Sequence, residues 1–150
     1  MKRVICFCIC ILIFNACGTV SESVKEDLRA QGFPVVITRI VKDGPDFVGG
    51  VGVRIFWQNI SDKEIKYVVF ILVPYNRVND QVRCTITGDF SKRLLSTGPF
   101  KPNKISINMW EAPWYNSSID HFEIVGLEVT YMDNSIQKFD SEVAPKMFIK

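Results

Sequence analysis

Apolar positions along the chain fall into two patterns. Residues 4–14 (VICFCICILIF) are an unbroken apolar run, whereas from residue 33 onward apolar and polar positions alternate in short blocks separated by turn residues. Residues 34–41 (PVVITRIV) are rich in β-branched side chains and precede an Asp43, Gly44, Pro45, Asp46 turn. Beyond Gly49 and Gly50, the side chains of Val51, Val53, Ile55 and Trp57 alternate with Gly52, Arg54 and Phe56, a period of two with one largely apolar face. Residues 64–75 (EIKYVVFILVPY) form the most apolar block and are expected at the centre of a sheet. Residues 81–87 (QVRCTIT) alternate again, residues 88–104 read as a loop with Gly98, Pro99 and Pro102, and Ile105, Ile107 and Met109 alternate with Ser106 and Asn108. Residues 111–117 (EAPWYNS) read as an aromatic-rich turn. Residues 119–131 follow as a long strand with Val125, Leu127, Val129 and Tyr131 on one face, and a hairpin turn at Asp133 and Asn134 leads to residues 136–139. Seven short strands without a long amphipathic helix predict an all-β domain over residues 34–150. The expected fold is an antiparallel, immunoglobulin-like Greek-key β-sandwich, with a small barrel as the alternative.

Between the two patterns lies a polar connector, residues 18–31 (GTVSESVKEDLRAQ). Ser23 followed by Glu26 fits a capping box and Gly32 can end a helix of about two turns. So short a helix is marginal in isolation, and a flexible tether is the equal alternative.

Lys2 and Arg3 precede the apolar run, and Asn15, Ala16, Cys17 and Gly18 follow it. A membrane-crossing helix needs about 20 apolar residues, so this shorter run behind a basic start reads as a secretory signal. Ala16 and Cys17 resemble the lipobox of bacterial lipoproteins, in which a small residue precedes a cysteine that is acylated before the signal is cut. The resemblance implies a signal peptide over residues 1–16. Cys17 then carries a diacylglyceryl group and an amide-linked fatty acid such as palmitate, and residues 17–33 lead from the membrane to the domain. One acyl chain holds a protein to a bilayer only marginally, whereas two or more anchor it stably.

This placement changes how the cysteines are read. Of five, Cys6, Cys8 and Cys10 leave with the signal, Cys17 is the lipid acceptor, and only Cys84 remains. The domain therefore has no internal disulfide and must be held by its core. The composition suits that, with 47% hydrophobic, 12% aromatic and 23% charged residues. The chain has 18 basic and 16 acidic side chains, and losing Lys2 and Arg3 with the leader leaves 16 of each. A neutral, mixed surface offers no electrostatic footprint for nucleic acid and no polybasic membrane patch.

Three turns carry a further resemblance. Asn59, Ile60, Ser61, Asp62 and Lys63 form an Asn-x-Ser turn, the long apolar strand ends at Tyr75 and Asn76 with Asn79 and Asp80 behind, and Gly98, Pro99, Phe100, Lys101 and Pro102 precede the next strand, with Asn103 where a glycine is usual. The segment 51–131 resembles the FxLYD-type immunoglobulin-like domains of bacterial exported proteins. The resemblance implies an interaction or scaffold module, and no catalytic residue comes with it.

Candidate chemistry is sparse. His121, the only histidine, lies between Asp120 and Glu123 without a hydroxyl or thiol placed to be its nucleophile. Cys84 is expected to share a face with Val82 and Ile86 as a small core residue. One histidine and one free cysteine cannot supply the usual four zinc ligands, and the pairs Asp43/Asp46 and Asp133/Asp140 lack calcium-loop spacing. Gly49, Gly50 and Gly52 do not make a phosphate-binding GxGxxG. Trp110, Trp114 and Tyr115 around Pro113 are the strongest binding candidates. On an exposed loop they would form a stacking or contact surface, and otherwise they plug the end of the sandwich. Trp57, ending an apolar face, is expected to be buried, and Trp114, beside Pro113, at least partly exposed.

Together these features predict a non-enzymatic lipoprotein of the bacterial cell envelope, without catalytic residues, cofactor or metal. It is anchored through Cys17 to a membrane, outer or plasma, with its β-sandwich outside the cytoplasm contacting a protein partner. Binding of carbohydrate or an envelope polymer through Trp110, Trp114 and Tyr115 is the alternative. Cells fed a labelled fatty acid should incorporate it into the chain, and Cys17→Ser should abolish both labelling and cleavage. A soluble, unmodified protein would overturn this.

Overall fold

β-Branched and aromatic side chains spaced two apart favour extended backbone with one face turned to a core, and the seven strands follow that spacing. The computed structural model describes residues 20–149, so the expected signal peptide and Cys17 lie outside the described residues. A helix, α1 (Glu22–Ala30), precedes β1 (Val35–Asp43), β2 (Gly50–Asn59), β3 (Ile65–Tyr75), β4 (Lys92–Phe100), β5 (Ile105–Tyr115), β6 (His121–Tyr131) and β7 (Ile136–Phe139). The strands form two antiparallel sheets, a three-stranded one ordered β1-β2-β5 and a four-stranded one ordered β4-β3-β6-β7. The chain crosses between sheets after β2, β4 and β5, which makes the fold the expected immunoglobulin-like sandwich and not a barrel.

Between the sheets lie Val51, Val53, Ile55 and Trp57 of β2 against Val68, Phe70 and Leu72 of β3 and Leu127, Val129 and Tyr131 of β6. Burying each such aliphatic or aromatic side chain contributes about 1.5–3 kcal/mol. Trp57 is 1% exposed, as the alternation predicts. Its ring meets Phe100 and Phe70 edge-on at 4.7 and 5.8 Å, and its Nε1 donates to Asn108 Oδ1 at 2.7 Å.

Over residues 22–30 the connector is helical. Its N-cap is Ser21, two residues before the expected Ser23, with Oγ 3.5 Å from Val24 N. At its other end Gly32 adopts φ +81, Gly32 N donates to Arg29 O, and Phe33 N donates to Leu28 O. This is the paired closure of a Schellman motif, and the accompanying apolar contact is supplied by the buried Leu28 and Phe33.

Seven strands were expected and seven are present, but two of the segments trade places. Residues 81–87 are not a strand: Gln81 makes one bridge to Tyr75, then the chain turns tightly with Gly88 N donating to Cys84 O. Residues 92–100, expected as loop, form β4 on β3, turning Leu94, Ser96 and Phe100 inward. Gly98 and Pro99 mimic loop chemistry there, yet an edge strand tolerates a missing N–H. Gly98 is needed because a Cβ would sit 2.5 Å from Ile65 O. In β6 a bulge between the partners of Ile71 and Leu72 resets the phase. Phe122 and Ile124 therefore face inward with Leu127, Val129 and Tyr131, and Val125 leaves the face assigned to it.

At the end of the sandwich where β1 begins, Asn59 ties the sheets together. Its fully buried side-chain amide donates from Nδ2 to Lys63 O and Phe100 O, both at 2.9 Å, while Oδ1 accepts from Ser61 N at 2.9 Å and Ser61 Oγ at 2.7 Å. Its backbone N donates to Lys104 O, and its O accepts from Asn103 N. Asn59→Ala should lower unfolding free energy by about 3 kcal/mol, since each buried group left unpaired costs about 1–3 kcal/mol. Asn59→Asp should be worse at neutral pH, because an acceptor-only carboxylate then faces two carbonyls. Both burial and those carbonyls raise the folded-state pKa of the introduced carboxyl above its usual value of about 4, so stability should return as pH falls and be lost as pH rises. Denaturation midpoints of the two variants across acid pH test this.

Candidate functional site

β5 decides the fate of the aromatic cluster. Val51 pairs with Trp114 and Val53 with Trp110, so residues 111–113 bulge opposite Gly52 alone. A Cβ on Gly52 would lie 3.1 Å from Trp110 O, so the bulge depends on that glycine. Residues 111–117 are therefore not the expected turn: β5 runs on to Tyr115, with Pro113 in the bulge of an edge strand where no N–H is required.

The expectation of an exposed Trp114 is overturned. Trp114 is 0% exposed, its ring 4.9 Å from Phe122, and its Nε1 has no hydrogen-bond partner. Trp110 is half-buried, 6.1 Å from Phe70. Tyr115 is half-buried too, its O accepting from Thr85 N and its N donating to Cys84 Sγ at 3.4 Å. The three side chains do not form one exposed platform. Trp114 fills the end of the core, the plug that was its other expected role.

Cys84 is buried, but Ile86 is exposed and Val82 half-buried, so they do not share a buried face. Burial disfavours the Cys84 thiolate, yet hydrogen bonds from the Thr87 side chain and from the Thr87, Tyr115 and Ile86 backbone bring the thiol down to about 7. His121 stacks on Tyr75 at 5.6 Å, with Nδ1 3.3 Å from Asp120 Oδ2. The acidic pairs are spent locally. Asp43 forms a two-pronged pair with Arg54 at 2.6 and 2.7 Å, Asp140 caps the turn after β7, and Ser135 and Lys63 hold the Asp133 carboxyl well below the usual carboxylate range. Among the described residues no three His, Cys, Asp or Glu side chains converge as metal ligands, and no helix is long and apolar enough to cross a membrane.

Among the exposed large apolar side chains, those on the loops at the end opposite α1 were passed over by sequence reading. In the β1–β2 loop Asp46 Oδ1 accepts from Val48 N and Gly50 N, and this local turn projects Phe47, 100% exposed, beside the exposed Val48. In the β3–β4 connection Asn76 Oδ1 accepts from Val78 N and Asp80 N and presents Val78, while Ile86 and Phe90 are exposed further on. The available signal was a Phe-Val pair inside a turn otherwise built of Gly, Pro and Asp.

By architecture the chain is an immunoglobulin-like β-sandwich of seven strands. No family model matches it, and no curated protein matches it.

Because Trp57 and Trp114 are equally enclosed, Trp57→Ala and Trp114→Ala should each cost about 3–5 kcal/mol in chemical denaturation. Trp114→Phe should be far milder, since it deletes an unpaired buried donor while keeping most of the volume. A Trp114→Ala variant as stable as the parent would mean the ring is not a core plug.

Proposed function

We propose that this protein is a lipid-anchored cell-envelope lipoprotein whose β-sandwich is a non-enzymatic protein-interaction module. The anchor is supported by Lys2, Arg3, the short apolar run and the Ala16-Cys17 junction. The observation that carries the interaction reading is that Phe47, Val48, Val78, Ile86 and Phe90, on the β1–β2 and β3–β4 connections, are all exposed. Exposed apolar groups of this size, held on local turns, are what a protein interface buries.

The topology supports the same arrangement. Cys17 stands shortly before α1, and α1 is docked where β1 begins, Arg29 Nε donating to Ile60 O at 2.6 Å. On this reading a lipid on Cys17 tethers the domain from the α1 side, with the Phe47 loop at the opposite end of the sandwich.

Replacing Phe47 or Val78 in the full chain with a photo-cross-linking amino acid should give one discrete heterologous adduct in intact cells. The same probe at Lys138, on the outer face of the other sheet, should give none. Equal background labelling at all three positions, or no adduct at Phe47 and Val78, would refute the proposal.

A further inference from the structure

The first half of β5 has its polarity reversed. Ser106 and Asn108 turn inward, Asn108 to receive Trp57 Nε1, while Ile105, Ile107 and Met109 face solvent at 53, 59 and 59% exposure. Half-buried Phe56 pairs with Ile107 across the sheet and widens the apolar strip, with the Arg39 guanidinium 4.0 Å from its ring centroid. β5 is also an edge: β2 occupies one side, and on the other, among the described residues, backbone hydrogen bonds reach only its last residue, Tyr115, from Thr85 and to the Cys84 thiol.

Exposed strand edges are normally guarded by charge, by proline or by brevity. β1 carries Arg39 and Lys42, β4 carries Lys92, Arg93 and Pro99, and β7 has four residues including Lys138. From residue 105 to residue 110, β5 carries no charge and no proline. This uncharged stretch is bracketed by Lys104 on one side and by Glu111, at the start of the bulge, on the other.

We propose that the β5 edge pairs with the β5 edge of a second copy of this chain, antiparallel about a two-fold axis near Ile107. This joins two three-stranded sheets into one of six. The occupant is argued from self-complementarity. Antiparallel pairing about Ile107 sets Ile107 opposite Ile107 and Ile105 opposite Met109 of the second copy, all on the outer face. It also sets each Lys104 opposite Trp110 of the second copy, beside the second copy's Glu111. A parallel pairing would set like charges together at both ends. Directly opposed residues on antiparallel strands have Cα atoms about 4.5–5.5 Å apart, within the span a disulfide bridges. The surface is separate from the loop end that carries Phe47, so this proposal and the preceding one can fail independently.

The test is disulfide trapping in the full-length chain, in membranes and in cell extract, with copper phenanthroline and oxygen as oxidant. Ile107→Cys should give a covalent homodimer on non-reducing gels, and Lys138→Cys, on another edge, should not. Co-expressed Ile105→Cys and Met109→Cys chains should form a mixed dimer more readily than either variant alone. Should Ile107→Cys fail to accumulate, this mixed pair decides the matter. Adding Lys104→Glu should lower the trapped fraction severalfold by setting like charges at both strand ends, and adding Glu111→Lys as well should restore it. Equal trapping at Ile107 and Lys138 would mean random collision and overturn the proposal. So would absence of dimer from both the single and the mixed variants, or a cross-link from Ile107→Cys to a chain of different mass.

Discussion

The buried side chain of Asn59 closes the end of the sandwich where β1 begins. Through its amide and its backbone it binds the turn into β3, the last residue of β4 and the loop that leads into β5. The turn into β3 and the loop into β5 are connections that cross between sheets, and neither is held there by a ladder, whereas Phe100 is paired with Ile65. A β-sandwich without a disulfide has to fix its sheet-to-sheet geometry by packing and by such polar ties, and a fully satisfied buried amide contributes specificity that apolar packing alone does not. Arg29 binds Ile60 O and Asn103 Oδ1 beside it, so α1 is docked onto the same knot. Asn103 itself adopts φ +62, a backbone conformation in which asparagine stands in for glycine.

Glycine-dependent irregularities then shape the sheets. Gly52 accepts the bulge in β5, and Gly126 accepts the one in β6, where a Cβ would meet Ile71 Cδ1 at 2.8 Å. The first removes residues 111–113 from the ladder and lets both Trp110 and Trp114 reach the interior. The second resets which β6 residues face the core. Bulges bend a strand and raise its twist, and here both lie toward the end of the sandwich where the Trp114 ring meets Phe122 at 4.9 Å.

The outer faces of the two sheets differ in a way that bears on association. Across the four-stranded sheet, Glu128 of β6 receives Arg93 of β4 at 2.6 Å and Lys138 of β7 at 3.4 Å, a charged lid above half-buried aliphatic side chains. Such exposed pairs add little stability, typically below about 1 kcal/mol each, but they keep a sheet face from associating. The outer face of β5 has no comparable lid. The uncharged β5 edge and the loops around Phe47 are therefore two places where this domain offers apolar contact.

Strand positions set by strict alternation, such as Val51 to Trp57 and the apolar block ending at Tyr75, were legible from the residues. A period of two with one apolar face has only one way to meet a core. Trp57 followed directly from that. The Asn59 turn, the hairpin at Asp133 and Asn134 and the closing glycine of α1 were legible too, because turn chemistry is local. Residues 92–100 were not, because an edge strand may carry glycine and proline and still pair. Nor was the inward course of Trp114, because Pro113 signals a turn locally and only the opposing Gly52 makes room for a bulge instead. The direction in which Ile105, Ile107 and Met109 point was equally out of reach. Alternation fixes that they share a face, and only the long-range pairing of Trp57 Nε1 with Asn108 decides that this face is the outer one.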